Sequence, residues 1–408
     1  MKNISVLSLL CISMASCETE REMSNSVPIS HFDYKVPSYH WKNKIQPRFD
    51  LFEIESSLGL EPEVFFRTGY ALADFNSDGY IDIMAQKYIQ GTTDIEFYFL
   101  LNNGDDTFYI DNSFFNSNFS SRLGARKTIV GDFNNDQRPD VVRISGGHDE
   151  LDRSNITLSQ PNGEYIISEL QEVPESQYHG FASGDIDNDG DLDLFFGSPA
   201  ETQGFAYNNG DGSFVWRYSC DVFLNCPDGL PRENVQTVEI YDLNNDGNLD
   251  LILGGEYNRH INQGTSYLNA PTIFWGNGSG VYDFNNKTEV FNLGDIPSIG
   301  FGETGNTDDF VIGDVNGDGL DEIILLFINL NGDQGNHFLE IYVPNQDYEF
   351  SNQTNALIPQ NIIHGAVWIQ LRDIDDNGLI DIVEPEPVTG NGNSIRFQWN
   401  GSQFIKLQ

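Results

Sequence analysis

Short runs of apolar and β-branched residues recur along the chain from Arg67 onward, and each run borders a loop rich in Asp, Asn and Gly. Runs at 128–130 and 237–240 precede such loops, and runs at 81–84, 192–196 and 249–253 follow them. Runs of this length, bounded by turn residues and rich in Val, Ile and Phe, predict β-strands. No long segment shows the spacing of an amphipathic helix.

A second kind of turn follows each of these strand pairs. An Asn-Gly pair stands between two short apolar segments at Asn103-Gly104, Asn209-Gly210 and Asn277-Gly278, which is a strong hairpin signal. The predicted hairpins are 97–109, 156–167, 204–216, 272–284, 339–350 and 395–405. Each repeating unit therefore holds four predicted strands.

The loops between the first two strands of each unit are near-copies of one motif. Their first residues are Asp74, Asp132, Asp185, Asp242, Asp314 and Asp373. A regular period of this length predicts a repeat architecture, and four antiparallel strands per repeat describe a propeller blade. We therefore predict an all-β fold, a β-propeller of four-stranded antiparallel blades with six motif-bearing blades. Residues 27–66, with a predicted strand around Phe49 to Ile54, are a candidate seventh blade.

Side chains with oxygen atoms occupy positions one, three, five and nine of every motif. They are Asp74, Asn76, Asp78 and Asp82; Asp132, Asn134, Asp136 and Asp140; Asp185, Asp187, Asp189 and Asp193; Asp242, Asn244, Asp246 and Asp250; Asp314, Asn316, Asp318 and Glu322; and Asp373, Asp375, Asn377 and Asp381. So many carboxylates in a tight loop repel one another unless a cation lies among them.

Calcium fits this pattern because it takes six to eight oxygen ligands, including a backbone carbonyl. The predicted carbonyl donors at position seven are Tyr80, Arg138, Asp191, Asn248, Leu320 and Leu379. Position six, where the chain turns sharply, is Gly in five copies and Gln137 in the second. We predict up to six bound Ca²⁺ ions, with the second site the weakest candidate.

Two other interpretations of the motif fit less well. An EF-hand requires Glu at position twelve between two helices, whereas only the last copy has Glu there (Glu384) and strands flank the loops. Ordinary Asp-Gly turns between strands would explain one copy, but they do not explain six copies with four acidic or amide positions in phase.

Composition restricts the partners. The 62 Asp and Glu residues against 21 Lys and Arg give a formal charge of −41, which disfavours nucleic acids and anionic membranes. Hydrophobic residues make up 39% of the chain, enough for a sizeable core. No CxxC or Cys/His spacing supports a zinc or redox site.

The first residues predict export. Residues 1–16 have a positive start and a short apolar run, as in a signal peptide. The sequence Met14-Ala15-Ser16-Cys17 resembles a bacterial lipobox, with Met14 where Leu is usual, so Cys17 is the predicted lipidation site and plain secretion is the alternative. Residues 17–30 then form a flexible tether and 31–408 the propeller. The prediction is a lipid anchor in the bacterial envelope, at the outer membrane or cell surface, and a disulfide between Cys220 and Cys226.

The loops DFNSDGYID, DIDNDGDLD, DLNNDGNLD and DVNGDGLDE resemble the calcium motifs of FG-GAP and VCBS repeats, found in integrin α-subunit propellers and in many bacterial exported proteins. The resemblance covers about residues 60–408. It implies a calcium-binding propeller of the bacterial VCBS-like branch, and it does not imply a particular activity.

Two classes of function remain. In the first, the protein is a binding or adhesion module whose glycan or protein ligand contacts the face opposite the calcium loops, with Tyr257, Arg259 and His260 as candidate ligand-binding residues. In the second, it is a polysaccharide-degrading lyase, which needs a His or Tyr base near a cation. No catalytic set is recognisable, and His179 and His364 are candidates only to face a central channel.

Overall fold

The computed structural model describes residues 51–60, 70–88, 95–105, 107–115, 120–121, 125–145, 153–198, 202–226, 235–258, 271–290, 304–329, 336–358, 362–364, 369–372, 379–383 and 396–407. These residues form an all-β fold of six four-stranded antiparallel units, which confirms the predicted blades. None of the helices among these residues is long and apolar enough to span a bilayer.

The strands of each unit are consecutive in sequence and in the sheet. Blade 1 consists of β1 (Ala71–Ala73), β2 (Asp82–Tyr88), β3 (Ile95–Asn102) and β4 (Phe108–Ile110), with β5 (Ser120–Ser121) beside β3. Blade 2 consists of β6 (Ala125–Gly131), β7 (Asp140–Ser145), β8 (Asn155–Ser159) and β9 (Tyr165–Glu169). Blade 3 consists of β10 (Gly180–Gly184), β11 (Asp193–Gly197), β12 (Gly204–Asn208) and β13 (Phe214–Tyr218).

The remaining three units repeat this order. Blade 4 consists of β14 (Val235–Tyr241), β15 (Asp250–Asn258), β16 (Thr272–Phe274) and β17 (Lys287–Glu289). Blade 5 consists of β18 (Thr304–Gly313), β19 (Glu322–Asn329), β20 (Asn336–Pro344) and β21 (Phe350–Asn352), with β22 (Ile362–His364) beside β20. Blade 6 consists of β23 (Gln370–Arg372), β24 (Asp381–Val383), β25 (Arg396–Trp399) and β26 (Phe404–Lys406).

Each blade buries both faces because successive side chains of a strand point to opposite sides. In blade 1, Met84 and Phe99 join a buried cluster with Val130 of blade 2. Their neighbours Ile83 and Leu100 belong to a second cluster on the other side. Sequence alternation in one blade thus produces two separate cores.

Neighbouring blades contact each other through their first strands, in the order β1, β6, β10, β14, β18 and β23. Close approach at one of these contacts depends on a glycine. A Cβ added at Gly180 of β10 would lie 2.6 Å from Val238 Cγ2 and 3.2 Å from the carbonyl carbon of Thr237 in β14. The first strands therefore form the inner edge of the assembled blades.

The strand predicted around Phe49 to Ile54 is wrong in the described residues. The chain instead forms helix α1 (Leu51–Ser57), because Leu51, Ile54 and Leu58 recur at helical spacing. Ile54 and Leu58 pack on the face of blade 1 that points away from blade 2, and Tyr98 Oη donates a 2.8 Å hydrogen bond to Glu55 Oε1. The rest of the candidate seventh blade, 27–50 and 61–66, lies outside the described residues.

A disulfide beyond the end of blade 3 joins Cys220, in the short helix α2 (Ser219–Val222), to Cys226. Within the disulfide loop, Leu224 N donates to Tyr282 O at 2.8 Å, and Leu224 O accepts from Phe284 N at 3.0 Å. Residues 282–284 are therefore bonded to this loop. The predicted hairpin 272–284 consequently differs from the observed one, in which β16 pairs with β17. One further short helix, α3 (Thr354–Leu357), follows β21.

Candidate functional site

Every described motif loop connects the first strand of a blade to the second. In the sixth loop, residues 373–378 lie outside the described residues, so Asp373, Asp375 and Asn377 have no described placement, whereas Leu379 and Asp381 do. The five loops that are fully described thus lie at the ends where the first strands finish, on one face of the assembled blades.

The five described loops share one backbone conformation. Positions four and six both have positive φ, a region that favours Gly and Asn. The values are 62° and 91° for Ser77 and Gly79, 63° and 65° for Asn135 and Gln137, 58° and 95° for Asn188 and Gly190, 55° and 87° for Asn245 and Gly247, and 80° and 91° for Gly317 and Gly319. Gln137 therefore adopts the same turn as the glycines at its position.

The carboxylates at positions one and five are held by the backbone of their own loop. Asp74 accepts hydrogen bonds from Asp78 N at 3.0 Å and Gly79 N at 2.8 Å, and Asp78 accepts one from Tyr80 N at 2.9 Å. The same pattern occurs at Asp132 and Asp136, Asp185 and Asp189, Asp242 and Asp246, and Asp314 and Asp318. These bonds keep the acidic groups inside the turn.

Position nine connects the loop to the third strand of its blade. Asp82 Oδ2 accepts from Phe75 N at 3.0 Å, while Asp82 Oδ1 accepts from Asn102 N at 2.9 Å. Asp140, Asp193, Asp250 and Asp381 accept in the same way from third-strand or adjoining N–H groups of Ser159, Asn208, Gly276 and Trp399. These carboxylates are fully buried. This role has no signature in the sequence, because the hydrogen-bond partner is a backbone N–H that any residue except proline supplies.

Blade 5 departs from this arrangement in two places at once. First, position nine is Glu322. Second, the third-strand residue equivalent to Asn102 is Pro344: Asn102 stands two residues after the strand partner of Ile83, and Pro344 stands two residues after the strand partner of Ile323. Proline has no N–H to donate. Glu322 Oε1 instead accepts from Asn316 Nδ2 at 2.7 Å, while Oε2 accepts from Val315 N at 2.9 Å.

The third loop brings three carboxylates together. Oxygen atoms of Asp185, Asp187 and Asp193 all lie within 4.8 Å of one another. Asp187 Oδ1 is buried and has no hydrogen-bond partner. In the other described loops position three is Asn, whose Nδ2 donates to the position-five carboxylate, for example Asn76 to Asp78 at 2.8 Å. An aspartate cannot donate, so the third loop retains an unpaired oxygen that a cation would satisfy.

Burial is the main cause of raised pKa values in these loops, and neighbouring carboxylates add to it. The pKa rises to about 7 for Asp82, Asp140 and Asp250, and to about 8 for Asp193 and Glu322. The pKa values of Asp74, Asp185 and Asp187 are also raised, chiefly by burial. A bound cation would reverse these shifts. The donor set therefore fits a divalent cation.

Adjacent loops are bonded to one another across the blades. Asn135 Nδ2 of the second loop donates to Asp191 Oδ1 of the third at 2.5 Å and to Gly210 O at 3.1 Å. Asn208 Nδ2 of blade 3 donates to Phe133 O at 2.8 Å. The loops thus form a connected surface rather than isolated turns.

The predicted ligand-binding residues are only partly described. Tyr257 belongs to β15, where its backbone pairs with Gly305 of β18, so it lies in a strand that joins blades 4 and 5 rather than in a loop. Arg259 and His260 lie outside the described residues. The apolar run 249–253 predicts a strand that ends before Gly254 and Gly255, whereas β15 continues through both glycines to Asn258.

Comparisons with known proteins give one family match. Residues 185–253, which hold the third and fourth motifs, match the FG-GAP-like repeat. A search of curated proteins finds no match for this chain. Similar solved structures include rhamnogalacturonan lyase PL11 of Bacillus licheniformis, 12% identical with a TM-score of 0.32 over 84% of this chain and 82% of that one. Another is a glycoside hydrolase, 9% identical with a TM-score of 0.34 over 87% and 92%. Similarity at this level transfers neither activity to this chain.

Proposed function

We propose that this protein is a calcium-stabilised β-propeller that binds a glycan or protein ligand at the bacterial cell surface. The observation that carries the calcium assignment is the third loop, where three carboxylates converge and Asp187 Oδ1 has no hydrogen-bond partner. The same backbone turn recurs in the other described loops. The side chains at positions one, three, five and nine, with the carbonyl at position seven, would hold each ion.

Calcium suits these loops better than other common metals. The available donors are carboxylate, amide and carbonyl oxygens, which hard cations prefer, and sulfur and imidazole ligands do not occur in the motifs. Magnesium demands strict octahedral geometry and retains its water, whereas calcium accepts a flexible shell of six to eight oxygens. A bound Ca²⁺ would neutralise the carboxylates whose burial is otherwise unfavourable.

Binding to a ligand follows from the division of the molecule into two faces. One face consists of motif loops bonded to their neighbours, and this would be rigid once calcium is bound. The loops at the other end of the blades differ from blade to blade in sequence, which suits recognition. Residues 1–16 and Cys17 support export and a lipid anchor, and the tether 17–30 would present the propeller away from the membrane.

Calcium titration tests the first part of the proposal. Sites of extracellular strength, with dissociation constants on the order of 10⁻⁴–10⁻³ M, add about 0.5–2 kcal/mol each at millimolar calcium. The melting temperature should fall on addition of EGTA and recover with calcium but not with equal magnesium. The Asp185→Asn/Asp187→Asn variant should lose one ion in calorimetric titration. An identical melting curve with and without EGTA would refute the calcium assignment.

Incubation with polysaccharides tests the second part. The calcium-loaded protein, produced from residue 18 onward, is passed over immobilised neutral and acidic polysaccharides and surface proteins, and each soluble polysaccharide is then examined for shortened chains. Retention without cleavage supports a binding module. New chain ends would instead identify a polysaccharide-degrading enzyme, the alternative function.

Labelling tests the anchor. In a bacterial host that lipidates exported proteins, the full chain should incorporate labelled fatty acid and fractionate with membranes, whereas the Cys17→Ser variant should do neither. Equal labelling of both proteins would refute the assignment of Cys17.

A further inference from the structure

Three first strands contain a β-bulge at the same place. The strand register shifts by one residue at Arg126 in β6, at Gln236 in β14 and at Asp308 in β18. Each of these residues stands six positions before the first Asp of its motif. The same position in blade 3 is His179, immediately before β10, whereas its counterparts in blades 1 and 6 lie outside the described residues.

This coincidence matters because a bulge redirects a side chain, and bulges are frequent beside functional sites. The motif loops follow the ends of the first strands, whereas the bulges lie six residues earlier, near the strand start in β6 and β14 and in the middle of β18. Of the bulged residues, Gln236 and Asp308 have described side chains, and both are polar. The repeated bulge therefore places side chains of different chemistry, such as an amide and a carboxylate, at equivalent positions on the inner edge of the blades.

Contacts connect these residues from blade to blade. His179 Nδ1 is hydrogen-bonded to Gln236 Oε1. Blades 4 and 5 meet at the next residues, where Thr237 Oγ1 donates to Asp309 Oδ1 at 3.3 Å. Asp308 Oδ2 lies 3.7 Å from His337 Nε2 of β20. The residues His179, Gln236, Asp308 and His337, here termed the inner-edge row, thus follow one another across blades 3, 4 and 5.

Unsatisfied polar groups lie in this row and beside it. His337 is 5% exposed, and its Nδ1 atom is buried without a hydrogen-bond partner. Thr307 Oγ1, next to the bulge of blade 5, is likewise buried and unpartnered. A buried polar group without a partner is costly, so both atoms point to a bound species that supplies hydrogen bonds.

A cluster of hydroxyl groups adjoins the row in blade 3. Ser176 Oγ lies 3.2 Å from Ser198 Oγ, and Thr202 Oγ1 donates to Ser198 Oγ at 3.1 Å. The backbone links this cluster to the row, since His179 N donates to Gly197 O at 2.9 Å and Val235 N to Ser198 O at 3.4 Å. Polar side chains therefore continue outward from the inner edge.

The charges in and around the row indicate which class of ligand it can bind. Its one acidic group is Asp308, and Asp309 beside it adds a second carboxylate; among the described side chains, the cation next to a bulge in sequence is Lys127, which is paired with Glu239 at 3.5 Å. The chain as a whole carries −41. An anionic ligand would therefore be repelled. Neutral sugar hydroxyls both donate and accept, which matches the carboxylate, the amide and the two imidazoles along this row.

From these observations we infer that the inner-edge row binds a neutral saccharide unit. The inference rests on the proposed ligand-binding function and assigns its site. It places recognition at the bulge positions of the first strands and at the adjoining His337, in blades 3 to 5, rather than at Tyr257, Arg259 and His260.

The test measures binding of the calcium-loaded protein to soluble mannan, galactan, xylan and laminarin, with polygalacturonate and alginate as acidic probes. Gln236→Ala and Asp308→Asn should each weaken binding to the recognised neutral polymer about tenfold, the effect of losing a good hydrogen bond to the ligand. The matched controls are Gln160→Ala and Asp105→Asn, which change the same residue types on the motif-loop face. Melting temperatures establish that each variant is folded.

Three outcomes separate the inference from the function it rests on. Binding of a neutral polymer that both row variants weaken and both controls leave unchanged supports the inference. Binding of acidic polymers or of a protein alone, or of a neutral polymer with equal affinity by all variants, overturns the inference and leaves the ligand-binding function standing. Failure of the protein to bind any polysaccharide or surface protein overturns both.

Discussion

The third and fifth motif loops have the same backbone turn but fasten it to the sheet differently. In the third loop, Asp193 accepts from Ile186 N of the loop and from Asn208 N of the third strand. In the fifth, the longer Glu322 bonds only within its loop, because Pro344 offers no N–H. Position nine therefore serves the fold as well as the metal, and its residue type is matched to the third strand.

Positions nine and three of the third loop also differ in how they are bonded. Asp193 is buried and fully bonded by backbone groups, whereas Asp187 has an oxygen with no partner. We expect position nine to contribute to stability with or without calcium, and position three to contribute only when calcium is present. The following predictions test these differences, beginning with the largest expected effect.

The calcium-free protein should lose stability as the pH rises. Burial raises the pKa of Asp193 and Glu322 to about 8, above the value near 4 that unfolded carboxyls have. The folded state therefore favours their protonated forms, a stabilisation that is complete below pH 4 and lost as the pH rises through about 8. In EGTA, the melting temperature should fall by about 10 °C between pH 5 and pH 8.

Two controls assign this pH dependence. The Asp193→Asn variant, which keeps a neutral side chain of the same shape, should show a smaller fall in EGTA. With saturating calcium the trend should reverse, since the ion requires ionised carboxylates. A calcium-free melting temperature that is constant or rises from pH 5 to pH 8 would contradict the prediction.

Removal of the position-nine side chain should destabilise the protein more than a change at position three. Asp193→Ala leaves Ile186 N and Asn208 N buried without acceptors, which should cost about 2–4 kcal/mol of unfolding free energy in EGTA. Asp187→Asn should leave the EGTA value unchanged or slightly higher, because Asn at this position can donate to Asp189 as it does in the other loops, and it should reduce the gain from calcium. Denaturant unfolding with and without calcium measures both. Equal losses in EGTA would show that the two positions have the same role.

Much of this molecule could be predicted from sequence, for identifiable reasons. Four strands per blade followed from apolar runs and Asn-Gly turns, and the motif positions followed from their period. The helix α1 was missed because Leu51, Ile54 and Leu58 were interpreted without their helical spacing. The inner-edge row could not be predicted by residue type, because His179, Gln236 and Asp308 share only a backbone position and the bulges that place two of them depend on strand register.

The match between Glu322 and Pro344 should appear as an energetic coupling. Glu322→Asp shortens the side chain and should cost about 1–2 kcal/mol, since no third-strand N–H is available to the aspartate. In the Pro344→Ala background, residue 344 gains an N–H at the place where Asn102 donates in blade 1, and the same substitution should cost about 1 kcal/mol less. A double-mutant cycle in denaturant unfolding measures the coupling. Strict additivity would show that the two residues are independent.

The smallest effect concerns position six of the second loop. Gln137 has a φ of 65°, a conformation that costs a non-glycine residue about 1 kcal/mol. Gln137→Gly relieves this strain but also gives the unfolded chain about 0.4–1 kcal/mol of extra freedom, so the net gain should be at most about 0.6 kcal/mol. The matched control is Gly190→Gln, at φ 95° and with nothing within 4 Å of an added Cβ, which should lose a similar amount through backbone strain alone. Unfolding in EGTA measures the free-energy change caused by backbone strain without any contribution from metal binding. Destabilisation by Gln137→Gly would show that the Gln137 side chain makes a contact that outweighs the strain of its backbone.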